Sequence, residues 1–423
     1  MERLNAAELD FTRFVRPGDL VVWGQGCGEA LSLTQPLLAQ RQRIGAFRVF
    51  LGVNFSSTVQ PEQADTVEFV GLGGAGSARR LARAGVLDVA PLHMTTVDAF
   101  MRDGRIQVDV VLVQASRTDR SGEYSLGLSS DYVRGAIGRA RVVVAELNDQ
   151  VPATLCAEPL RDEDIDAFVD VSRAPVELAL APFGEVERAI AAHVAPFIPE
   201  QATLQIGLGV IPEAILASLK GRRGLGVHSG VVGDRVADLM ESGAVTNEHK
   251  DVDTGVTTTC LLIGTKRLYD FADRNPGLLM APVSRTHGFD VVSRLQRFVA
   301  LNSAVEVDLT GQVNAEAVGK DAVGLVGGQV DYIRAANASR GGCAIIALPS
   351  IAGGNASRIV DRLSGPVTTA RSDVGVVVTE FGAADLRGAS LRQRARMLID
   401  IAHPAHRERL ERAGHALRGR AVR

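Results

Sequence analysis

The chain has 423 residues, 46% hydrophobic, 22% charged and 4% aromatic, with a formal net charge of −3. So small a charge gives a polyanion little to hold, and so few aromatic rings leave no stacking platform for single-stranded nucleic acid. No apolar run reaches the ~18 residues of a membrane span, Met1–Asn5 does not begin a secretory signal, and Cys27, Cys156, Cys260 and Cys343 form no CxxC pair, so reduced thiols in a cytoplasmic globular protein are expected.

In chain order, residues 1–18 read as a short helix ending at Pro17-Gly18. Asp19–Trp23 reads as a strand, broken by Gly24-Gln-Gly-Cys-Gly28 before helical spacing over Glu29–Gln40 and a second strand over Phe47–Val53. This is a strand–glycine–helix–strand opening. It is not a dinucleotide fingerprint, because the glycines are spaced GxGxG and no acid ends the second strand. Gly73–Ser77 is another glycine turn, ahead of a basic helix over Ala78–Ala84. Val108–Val113 and Arg141–Leu147 are apolar runs of the kind covered on both faces of a parallel sheet.

A boundary is expected within residues 177–184, giving domains 1–180 and 181–423. The second half repeats the grammar of the first. Strands are expected over Leu204–Gly207, Gly224–Val227, Thr258–Ile263, Leu278–Ala281, Phe298–Ala300, Ala344–Leu348 and Val374–Thr379. Helices are expected over Val186–Val194, Ile211–Leu219, Val231–Met240, Val330–Ala336, Leu391–Ile401 and His406–Ala413. Val299–Asn314 alternates around Thr310-Gly311 like a hairpin. The expected fold is α/β: two related open α/β domains with the active site between them. Gly207-Leu-Gly-Val-Ile-Pro212 is its focal stretch, since a strand, two glycines and a proline in the first helical turn point free N–H groups at an anion. His403-Pro-Ala-His406 has HxxH spacing, but Pro404 marks a helix start, and no metal is expected.

Several motifs, in order, carry a resemblance. They are Gly207-Leu-Gly-Val-Ile-Pro-Glu-Ala214, Gly264-Thr-Lys-Arg-Leu-Tyr-Asp270, Leu301-Asn-Ser-Ala-Val-Glu-Val-Asp-Leu-Thr-Gly-Gln-Val313, Val326-Gly-Gly-Gln-Val-Asp-Tyr332 and Thr379-Glu-Phe-Gly382. Together with Gly26-Cys-Gly-Glu29 and Ser130-Asp-Tyr132 they resemble the acetyl-CoA hydrolase/transferase family, nearest its 4-hydroxybutyrate and butyrate:acetate CoA-transferases. The resemblance implies two α/β domains around a coenzyme A cleft. It also implies a glutamate that attacks the acyl-CoA thioester and carries CoA as a glutamyl thioester. It places Gly207, Leu208, Gly209, Val210 and Ile211 against CoA, Gly327 and Gly328 at the oxyanion or the thioester, and Arg340 near CoA phosphate. It further implies a homo-oligomer whose partners are acyl-CoA and a small carboxylate or water.

One departure alters the expected chemistry. The slot of the nucleophilic glutamate reads His228-Ser229-Gly230, and glycine has no side chain with which to form an anhydride. A second departure puts His287-Gly288 where the family carries asparagines. Glu380, His287 and Ser229 are the remaining catalytic candidates: a cleft carboxylate, an imidazole with a suitable reference pKa, and a hydroxyl one residue out of step with the G-x-S-x-G elbow. The expected function is thioester chemistry by hydrolysis, C–C cleavage or a related route. The alternatives are ordinary transfer through a displaced nucleophile, or a non-catalytic CoA-binding subunit.

Overall fold

The computed structural model describes residues 1–179 and 181–420. Among these residues two large sheets dominate. The ten-stranded first sheet runs Glu2–Leu4, Ala167–Val171, Val142–Asn148, Val110–Arg117, Leu20–Trp23, Phe47–Leu51, Val67–Gly71 and Leu87–Val89 in spatial order, with two short strands branching off Val110–Arg117. All pairs along that path are parallel. The nine-stranded second sheet runs Gly382–Asp385, Val376–Thr379, Cys343–Ala347, Phe298–Ser303, Thr203–Ile206, Gly226–Val232, Thr257–Leu262, Leu278–Met280 and Leu155–Cys156. Only its Gly382–Asp385 edge is antiparallel. The opposite edge, Leu155–Cys156, comes from the N-terminal half and pairs with Leu279 and Met280.

The continuous apolar runs follow from this burial. Successive side chains point to opposite faces, so Val21 and Trp23 enter one core while Leu20 and Val22 enter another. In the second sheet Leu204, Val299 and Ile345 face one core, and Phe298, Ala300 and Ile346 face the other.

Both sheets have a topological switch point, where successive connections leave a strand in opposite directions. It falls at Leu20–Trp23 in the first sheet, between Phe47–Leu51 and Val110–Arg117, and at Thr203–Ile206 in the second, between Gly226–Val232 and Phe298–Ser303. Ligands bind outside the carboxyl ends of strands at such points. The loops that follow, around Gln25 and Gly207, line one shared cavity.

Several expectations change. The helix expected over 1–18 is a short strand, Glu2–Leu4, and two 3-10 turns. The Asn5 and Asp10 side chains accept the N–H groups of Ala7 and Thr12, a local bond that competes with a helix. The hairpin expected over Val299–Asn314 is shorter. Phe298–Ser303 is a central parallel strand, and the hairpin pairs Glu306–Asp308 with Val313–Asn314. The Asp308 carboxylate closes that turn, accepting from Thr310 N and Gln312 N, while Gly311 takes φ +93°. The strand expected to end at Val227 runs on to Val232, because Val231 and Val232 pair with Leu261 and Leu262. Gly230 therefore lies inside a strand, and the next helix starts at Asp234 instead of Val231. The helix Met94–Asp103 and the strands Ala167–Val171, Leu87–Val89 and Leu155–Cys156 were not expected.

Candidate active site

The cavity between the sheets holds about 390 Å³. It opens where the strands Thr203–Ile206 and Gly226–Val232 diverge. They pair only at Thr203–Gly226 and Leu204–Val227. Beyond that the Ser229 hydroxyl bridges the gap, accepting from Ile206 N and donating to Ile206 O, both at 3.1 Å. Ser229 is fully buried with its hydroxyl spent on backbone, and it does not line the cavity. Engaged in this way, it presents no hydroxyl to the cavity.

Gly230 does line the cavity, and His287 stands directly against it. A Cβ on Gly230 would lie 2.7 Å from His287 Cε1 and Nε2 and 3.2 Å from the Tyr332 hydroxyl. A Cβ on Gly328 would lie 2.6 Å from His287 Cδ2 and Nε2. The imidazole thus fills a slot that exists only because both neighbours are glycines. Its ring stacks at a tilt on Tyr332, with centroids 4.5 Å apart. Its Nδ1 lies 2.8 Å from Thr286 Oγ1, which in turn donates to Pro282 O at 3.3 Å. With the threonine proton placed on Pro282, Nδ1–H donates to Thr286 and Nε2 keeps a lone pair toward Gly230; the tautomer is assigned from this network.

Burial, and then the neighbouring His228 ring, lower the His287 pKa to about 3. His228, on the same strand face as Gly230, is lowered to about 3 by burial and by the charge of Lys250. Its Nε2 lies 3.1 Å from Arg285 O. Lys250, lowered to about 7 by burial, donates to Val227 O at 2.8 Å and Val256 O at 2.6 Å. Both rings are therefore neutral at neutral pH.

The polar lining is otherwise amides, hydroxyls and a thiol. Asn302 Nδ2 donates to Gln205 Oε1 at 2.9 Å, and Gln329 Nε2 donates to Ser303 O at 2.9 Å. Gln25 Oε1 accepts from Val53 N, and the Cys260 thiol, raised by burial, donates to Gly230 O. Among the described residues no Asp, Glu, Lys or Arg lines the cavity. Nearby acids are engaged inside the protein. Asp131, raised to about 6 by burial, accepts from Val133 N and Ser129 Oγ. Asp234 accepts from Thr265 N and Oγ1. Glu29 accepts from Thr34 and Ser56.

Of the residues singled out in the sequence, Gly207, Leu208, His287, Gly327 and Gly328 come together here with Gly230. Gly209 has φ +134°, a conformation reserved for glycine, and caps the helix Val210–Ser218. Val210 and Ile211 form its first turn, which has no side-chain cap, and neither lines the cavity. Glu380 does not reach the cavity, because Ser350 N and Oγ hold its carboxylate at 2.8 and 2.6 Å. Arg340 is exposed and lies at the far end of the sheet. Its carbonyl accepts from Arg297 N, just before Phe298, whereas Asn302 and Ser303 line the cavity at the other end of that strand, roughly 15 Å away at the rise of a strand. Gln25, Gln205, Cys260, Asn302 and Tyr332 were missed as site residues. Gln205 stood out as a lone amide in an apolar strand, and Gln25 lay in a glycine loop already noted.

Comparison with known proteins agrees with this architecture. Residues 3–169 match the acetyl-CoA hydrolase/transferase N-terminal domain, and residues 264–414 match the C-terminal domain of the same family. The 4-hydroxybutyrate coenzyme A transferase of Clostridium kluyveri is 39% identical over 399 residues, 92% of each chain. RipA from Yersinia pestis superposes with a TM-score of 0.92 at 28% identity, over 99% of this chain and 98% of that one. A 4-hydroxybutyrate CoA-transferase from Porphyromonas gingivalis gives 0.82 at 33% identity, again over 99% and 98%. With both domain models matched and 39% identity sustained over 92% of its length, the chain belongs to the acetyl-CoA hydrolase/transferase family.

Proposed function

We propose that this protein hydrolyses acyl-CoA thioesters, with His287 as general base, and does not carry CoA on a glutamyl thioester. The observation that carries this is the exchange at Gly230. The position has no side chain, and the imidazole of His287 fills the space a side chain would enter. Among the described residues no carboxylate lines the cavity to serve as a displaced nucleophile, and no cation lines it to hold an acceptor acid. Water is then the acceptor that needs no partner of its own.

Coenzyme A would enter past Gly207 and the exposed Leu208, with its anionic groups toward the uncapped turn at Val210 and Ile211. The thioester would lie beside Gly327 and Gly328. Burial keeps His287 neutral, so Nε2 has a lone pair for a water molecule; the same burial weakens it as a base, so it takes the proton only as negative charge develops on the carbonyl oxygen beside it. The imidazole takes one water proton as the oxygen attacks the carbonyl carbon, and the negative charge of the tetrahedral intermediate stabilises the imidazolium. The C–S bond then breaks, the sulfur receives that proton, and the products are the free acid and CoA thiol.

The test is free-thiol release from a panel of short acyl-CoAs in water enriched in ¹⁸O. The wild type should release CoA and place one ¹⁸O in the acid. His287→Gln should slow release by about 10²–10⁴-fold, the usual worth of a positioned base. Unchanged release in His287→Gln, or a glutamate found as its hydroxamate after acyl-CoA and hydroxylamine are added, would overturn the assignment. A wild type that binds CoA but releases no thiol would instead be a non-catalytic subunit.

A further inference from the structure

The Tyr332 hydroxyl has no role yet. It lines the cavity, its residue is only 2% exposed, and among the described residues it has no hydrogen-bond partner. The nearby Thr286 hydroxyl donates to Pro282 O and accepts from His287 Nδ1, and it makes no hydrogen bond of good geometry with the phenol. A buried, unpartnered hydroxyl is uncommon, because it forfeits the bond it made in water. The ring itself is tightly placed between His287 and Phe298, with centroids at 4.5 and 6.2 Å.

The helix Gln329–Ala338, which carries it, is pinned from both halves of the chain. Thr95 Oγ1 donates to Asp331 Oδ1 at 2.7 Å, Met94 N donates to Gly327 O at 3.1 Å, and Gln329 is tied to Ser303. Burial and the nearby Cys260 and Asp331 push the phenol well above its ordinary pKa, so it stays protonated. The structure therefore offers one fixed donor, 3.2 Å from the empty Cβ position of Gly230 and beside the lone pair of His287.

We propose that Tyr332 is the oxyanion donor of this site, its hydroxyl donating to the carbonyl oxygen of the bound thioester as His287 directs water at the carbonyl carbon. The assignment rests on the hydrolytic reading for its reaction, but its binding partner, a carbonyl oxygen at the end of pantetheine, can be probed separately. A donor aimed where charge develops is worth about 10²–10³-fold in kcat.

The experiment compares Tyr332→Phe with the wild type in three measurements. These are thiol release, thermal melting, and titration with a trifluoromethyl-ketone analogue of acyl-CoA against free CoA. Tyr332→Phe should lower kcat by about 10²–10³-fold with little change in KM, and weaken the ketone about tenfold or more while leaving free CoA unchanged. It should melt no lower than the wild type, since the lost hydroxyl had no partner. If the wild type hydrolyses and Tyr332→Phe matches it in rate and ketone affinity, this assignment fails alone. If no thiol is released but the ketone titration still depends on Tyr332, hydrolysis fails and the carbonyl-binding role stands. A lower melting temperature with equal loss of ketone and free-CoA binding would make Tyr332 structural and overturn the proposal.

Discussion

On the proposed reading Gly230 and His287 form one exchange. Glycine stands where the resemblance puts the attacking group, and the imidazole occupies the space a side chain there would enter. The two residues lie 57 positions apart on different elements, so the dependence is steric and invisible in either segment alone. It makes a specific prediction. Gly230→Glu by itself should gain no CoA exchange, because its Cβ would meet a ring locked between Tyr332 and Gly328; overpacking of this kind costs about 1–3 kcal/mol. Gly230→Glu with His287→Asn, which shortens the facing side chain, should gain exchange between acyl-CoA and a carboxylate. Isotope exchange into CoA and a thermal melt of both variants check this. Exchange restored by the single variant would show that His287 yields easily and is not fixed as described.

Among the elements, the strand Gly226–Val232 and the turn Gly207–Gly209 define the opening. The strand leaves its neighbour after Val227, and Ser229 stitches the frayed pair through Ile206. The turn enters the helix Val210–Ser218 through Gly209 at φ +134° and ψ 177°, a region that other residues enter at about 1–3 kcal/mol. Gly209→Ala should therefore lower stability by about that amount and raise KM for acyl-CoA more than it lowers kcat, since in the proposed pose the altered turn faces the ligand's anionic part and not the thioester. Steady-state kinetics and denaturant melts separate the two effects. A fall in kcat alone would place the turn at the reacting carbonyl.

For the whole molecule, burying so many polar groups around a neutral cavity makes stability depend on pH. His228 and His287 have folded pKa values lowered to about 3 from 6.5. Below about pH 6.5 the unfolded chain binds protons on both rings that the native protein refuses until about pH 3, so stability falls as pH drops through that window. Asp131, raised to about 6 from 3.8, works in the opposite direction, and so do Glu29, Asp98, Glu213 and Asp331, all raised by burial. The part that belongs to His287 is read by difference: between pH 7 and pH 4.5 the wild type should lose melting temperature relative to His287→Gln. Parallel melting curves for the two proteins over that range would mean that the ring is not buried in its neutral form.

At this same scale the limits of sequence reading are clear. The chain determined its α/β class by itself: runs such as Val110–Val113 and Ala344–Ala347 are apolar on both faces, and only a strand covered by helices on both sides satisfies that. It also determined the glycine turns at Gly207–Gly209 and Gly327–Gly328, because their backbone needs are local. Tertiary structure alone decided which of these met. Thr95 reaches Asp331 across 236 positions, Gln25 joins Gly207 only because two switch points face each other, and Glu380 and Arg340 fall away from the cavity by their place on the sheet. Side-chain chemistry is written residue by residue, but proximity between distant residues arises only when the strands take their order.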